Sequence, residues 1–158
     1  MDTLEHALDV ATRMRQALQA ELEEAREQRV LVRKLDVQGL FERARQRGEF
    51  NVKLAQMQDA LGAALVATAN VLGVEKVSLD VLHTSGILAA RKVAQALSEL
   101  RASAQALQEI DALNQVLAKR ALACVRGYIS ALSPRADVYD RYGGVKGSSV
   151  GSIARQVA

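Results

Sequence analysis

The sequence predicts an all-α protein: an elongated antiparallel helical bundle of long amphipathic helices with a flexible C-terminal tail. Three observations predict it. Apolar residues recur at three- and four-residue steps through most of the first 132 residues, and no period-two stretch marks a strand. The composition is 49% hydrophobic but only 3% aromatic, so Leu, Val and Ala must build the core, and Ala and Leu are the strongest helix formers. The only proline, Pro134, and a cluster of glycines and serines follow the last periodic segment. At 158 residues the chain suits one domain, expected as a bundle over residues 1–133 and a tail over 134–158.

The first helix is expected from about Thr3 to Lys34. Leu4, Ala11, Leu18, Ala25 and Val32 repeat every seven residues, with Leu8 and Leu22 on the companion position and Met14 beside them. Arg15 and Arg29 interrupt one column. Asp36 offers an N-cap for a second helix over Val37–Leu72, its stripe running through Leu40, Phe41, Ala44, Leu54, Met57, Leu61, Leu65, Thr68 and Leu72. Gly48 is expected to bend or break it, and Gly73 to cap its C-terminus. Ser78 starts a short helical turn carrying Leu79, Val81 and Leu82, and Thr84 or Ser85 caps the next helix.

From about Ser85 to Leu132 there is no proline. Leu97, Leu100, Ala104, Leu107, Ile110, Asn114, Leu117, Ala121, Val125, Tyr128 and Leu132 keep helical spacing throughout. Unbroken, this helix measures about 70 Å at 1.5 Å per residue, and a hinge within it is the alternative. Pro134 ends it, and the residues beyond lack periodicity.

Reaction chemistry is not visible. His6 and His83 have no partner at metal-motif spacing, and the single Cys124 excludes an internal disulfide and a multi-cysteine zinc site. Cys124 reads as a small buried residue at the edge of the last seam. "GGVKGSS" has the wrong order for a phosphate loop and no strand before it. Acidic residues read as solvated helix faces, and so does "RARQR" (Arg43, Arg45, Arg47) between Glu42 and Glu49. No catalytic, cofactor or metal site is expected. The net charge of +3, with both signs interspersed, argues against a nucleic-acid surface. No stretch is long and apolar enough to span a membrane, so a soluble cytoplasmic protein is expected. Asn114, on the seam between Ile110 and Leu117, reads either as a register-setting buried amide or as a partner contact.

A long first helix, a second opened by an aspartate, and a final helix containing "LQEIDALNQVLAKRALACVRGYISAL" before the tail motif "VYDRYGG" resemble the FlgN-type flagellar type III export chaperones. The specific motifs lie within Leu107–Gly144. Two departures stand out. Leu117 occupies the place where the family has a second asparagine, and Asp140 follows Tyr139 where a glycine follows the family tyrosine. The resemblance implies a non-enzymatic cytoplasmic chaperone that binds hook-associated (hook–filament junction) proteins and delivers them to the export gate. It implies cargo contacts on the last helix, around Leu107, Ile110, Asn114, Leu117 and Ala121. It also implies gate docking through Tyr139 or Tyr142. The alternative from the residues themselves is a coiled-coil adaptor or homo-oligomeric scaffold without export cargo.

Overall fold

The computed structural model describes residues 2–132, which form α1 (Asp2–Lys34), α2 (Val37–Leu72), α3 (Leu79–Thr84) and α4 (Leu88–Leu132). The described residues contain no strand. Their contacts divide the chain into two units, Met1–Ala121 and Leu122–Ala158. The expected boundary after Ser133 and the tail, Tyr139 and Tyr142 included, lie outside the described residues.

In the first unit α1 packs against both α2 and α4. Contacts between α1 and α2 pair later residues of one with earlier residues of the other: Val10 lies near Met57, and Glu21 bonds Arg43. The two therefore run antiparallel, as a two-residue connection requires. Contacts from α1 to α4 keep a nearly constant separation of 84 to 89 residues (Arg15–Glu99, Arg29–Asn114, Ala25–Asn114), which makes that pair parallel. The bundle is thus up–down–up.

The heptad column of α1 is the centre of this unit: Leu4, Ala11, Leu18, Ala25 and Val32 are all buried, with Met14. Ala7 and Val10 are buried too, because α1 meets a helix on each of two sides. One apolar cluster joins Val10, Ala11, Met14, Leu18 and Ala25 to Leu61 of α2 and to Ala96, Leu100 and Leu107 of α4. A second closes the opposite end, where Leu82 of α3 lies fully buried among Leu4, Ala7, Ala64, Ala90, Val93 and Ala94. A six-residue helix cannot stand alone, so Leu82, with Leu79 packed at the cluster's edge, is what fixes α3.

The caps are local and follow the residues. Asp36 accepts from the backbone N–H of Gly39 at 2.9 Å, and Ser78 accepts from that of Val81 at 3.2 Å. α2 ends with Gly73 at φ +67°, where Val74 N–H reaches Ala69 O at 3.1 Å. The same motif ends α1, but Leu35 occupies the left-handed position at φ +53°. The start of α4 differs from expectation. Ser85 closes α3, its hydroxyl donating to Leu82 O, and α4 begins at Leu88, with Ile87 accepting its first bond, from Arg91 N–H.

Gly48 does not break α2, which continues through it. A methyl group there would meet nothing within 4 Å, and the same holds at Gly73. Backbone conformation alone then sets the sign of substitution. Gly48→Ala is expected to stabilise by about 0.5–1 kcal/mol, and Gly73→Ala to destabilise by roughly 1–2 kcal/mol. Urea unfolding of the two variants checks this, and equal shifts would contradict it.

Candidate functional site

The packing changes character along the bundle. Around Arg43 and Arg47 of α2, polar side chains take the interhelical positions. Glu21 and Arg43 are each only 6% exposed and form an ion pair. Arg47, half-buried, donates to Glu21 at 2.6 Å and to Asp111 of α4 at 2.5 Å, so one network ties all three long helices. Its guanidinium also lies over the Phe50 ring, 5.4 Å from the centroid. Arg15 pairs with Glu99 between α1 and α4. The Nε of Arg43 is buried without a partner.

This overturns two sequence expectations. Glu21 is not a solvated acid, and "RARQR" is not wholly a solvated face. Of its three arginines only Arg45 belongs to water, where its hydrogen bond holds the exposed Glu42 carboxyl below the usual carboxylate range. The α2 seam runs Leu40, Arg43, Arg47, Phe50, Leu54, Met57, Leu61, in steps of three and four, and two arginines occupy it. Phe41, expected in the stripe, is 74% exposed because Arg43 takes the inward position one step on. Beside this network an open groove of about 480 Å³ separates Leu40, Ala44 and Gly48 of α2 from Asp111, Gln115 and Ala118 of α4.

The five residues singled out on α4 fall into two groups. Leu107 and Asn114 are each 4% exposed and belong to the packed interior. Asn114 donates through Nδ2 to the Ala25 carbonyl oxygen at 2.7 Å and accepts from Arg29 Nε at 3.4 Å. That geometry is the register-setting amide, joining α1 to α4. Asn114→Ala is expected to cost about 1–3 kcal/mol by orphaning buried polar groups; thermal unfolding unchanged from the parent would contradict this. Ile110, Leu117 and Ala121 are half-buried, with one side accessible.

The α1–α4 separation places Lys34, the end of α1, level with the last residues of the first unit on α4, from about 118 on, and α2 begins at the same end. From Leu122 onward burial stops. Leu122, Ile129 and Leu132 are exposed, Val125 is half-buried, and Tyr128 is 72% exposed. The seam expected to continue inward through Tyr128 and Leu132 instead faces solvent, and Cys124 is exposed rather than buried. Leu122 and Ile129, both outside the seam as read from sequence, join Val125 and Leu132 in a stripe spaced three, four and three residues apart. Earlier on α4, Leu113 and Val116 are exposed as well.

Among the described residues no group of three or more His, Cys, Asp or Glu could hold a metal ion, and no helix is long and apolar enough to cross a membrane. What the α4 surface can do is bury an apolar face of another chain. In a comparison with protein families, the model described as FlgN protein matches residues 1–147. No curated protein and no solved structure matches the chain.

Proposed function

The chain belongs to the FlgN family, a family of flagellar export chaperones, and from that premise we propose that it binds hook–filament junction proteins in the cytoplasm. It keeps them unassembled and hands them to the type III export gate. The observation that carries this reading is the apolar end of α4, where Leu122, Ile129 and Leu132 stand exposed on a helix. An exposed helical stripe of this spacing suits an amphipathic helix of a partner. Cargo contact is assigned to the stripe beginning at Leu122 and, in the first unit taken by itself, to the accessible side of Ile110, Leu117 and Ala121. Leu107 and Asn114 support that surface from within. The experiment is co-purification with the tagged chain from its native cell. Junction proteins should be recovered, and their absence beside a clean homo-oligomer would favour a scaffold instead.

Gate docking is assigned to the tail tyrosines, with Tyr139 the main anchor, since a tyrosine offers a large amphipathic contact when a partner buries it. Tyr139→Ala should leave cargo affinity and helicity intact while reducing secretion of junction proteins, and Tyr142→Ala should act more mildly. Normal secretion from both single variants and the double variant would remove the docking role.

A further inference from the structure

We infer that the helix received by the end of α4 is acidic along its flanks, and that charge as well as apolar spacing selects it. This rests on the reading of α4 as the docking element for export substrates. The last carboxylate of α4 is Asp111, and it is already engaged by Arg47 at 2.5 Å. From there to Leu132 the only charged residues are Lys119, Arg120 and Arg126. All three are exposed, and none joins an ion pair among the described residues.

The intrinsic reason for cations late in a helix does not account for them. The macrodipole acts within the last turn, and the last turn of α4 holds no basic residue. Arg126 instead follows Val125 directly and lies one turn beyond Leu122, which puts it, with Lys119 seven residues earlier on the same edge, beside the stripe of Leu122, Val125, Ile129 and Leu132. Arg120 projects from the opposite side of the helix. In a helix pair such flanking positions meet the partner's flanks, and opposite charges there set partner choice and orientation. A second copy of α4 would bring only like charge to this edge, since the segment carries no carboxylate to answer it. A helix with Glu or Asp beside its apolar stripe completes the surface.

The test uses the full chain labelled with a fluorophore at Cys124, its only cysteine, which is exposed and lies off the stripe. Three synthetic helical peptides share one apolar stripe and carry Glu, Gln or Lys at every flanking position. At low salt the Glu peptide should bind about tenfold more tightly than the Gln peptide, and the Lys peptide more weakly than either. The difference should shrink to roughly twofold or less in 0.5 M salt. Reversing the two cations on the flank (Lys119→Glu, Arg126→Glu) should invert the order of the Glu and Lys peptides without altering helicity, and Arg120→Glu, on the opposite side, should leave the order unchanged. Equal binding of all three peptides would overturn the acidic preference while leaving the docking role standing. Binding of none, with no junction protein recovered from cells, would overturn both. Self-association of the chain in sedimentation with no peptide bound would assign the face to a second copy and overturn the inference.

Discussion

Glu21→Ala is expected to destabilise the bundle by about 3–5 kcal/mol, the largest loss of any single exchange considered for this chain. The carboxylate answers two guanidiniums from α2, Arg43 and Arg47, and both it and Arg43 are buried. Removing it leaves the Arg43 charge out of water with its Nε already unpartnered. Arg47 keeps Asp111 and loses less. Glu23→Ala is the control: Glu23 pairs with Arg26 at 2.6 Å on an exposed face, and such pairs contribute about 0–1 kcal/mol. A double exchange, Glu21→Leu with Arg43→Met, should recover most of the loss, because well-packed apolar side chains replace a buried ion pair at little or no cost. Urea denaturation of the variants measures all three. Equal losses for Glu21→Ala and Glu23→Ala would mean that the pair is wetter than its burial implies.

The second large effect concerns binding. Ile129→Ala together with Leu132→Ala should weaken junction-protein binding by at least about a hundredfold, since each side chain contributes about 1.5–3 kcal/mol when a partner buries it. Both are exposed in the free chain, so stability from thermal unfolding should stay within about 0.5 kcal/mol of the parent. Leu107→Ala, from the core, should do the reverse and lose about 2–5 kcal/mol of stability by leaving a cavity. Calorimetric titration beside thermal unfolding separates the two. A double variant that unfolds early would place those residues inside a packed surface.

The helices and most caps were legible because their signals are local. Asp36, Gly73 and Ser78 each act on backbone groups within three or four residues, and the α1 column repeats every seven. Two features were not. The inward place of Arg43 and Arg47 was hidden by reading polarity as exposure, yet stepping back from Leu61 through Met57, Leu54 and Phe50 by threes and fours lands on both. The second is where the α4 seam stops being covered. Periodicity continues past Ala121 because the helix itself continues, whereas burial depends on how far α1 and α2 reach, which only their packing register decides. Cys124 and Tyr128 were misplaced for that reason, and Leu122 and Ile129 passed unnoticed.

Hydrogen exchange on the complex with a junction protein tests the central claim most directly. Amides of Leu122–Leu132 belong to helix with exposed side chains in the free chain, so they should exchange readily alone and gain strong protection when cargo is bound. Amides of the α1 core, already buried between two helices, should change little. Protection gained only along α1, with Leu122–Leu132 exchanging as fast as before, would contradict cargo docking at the end of α4.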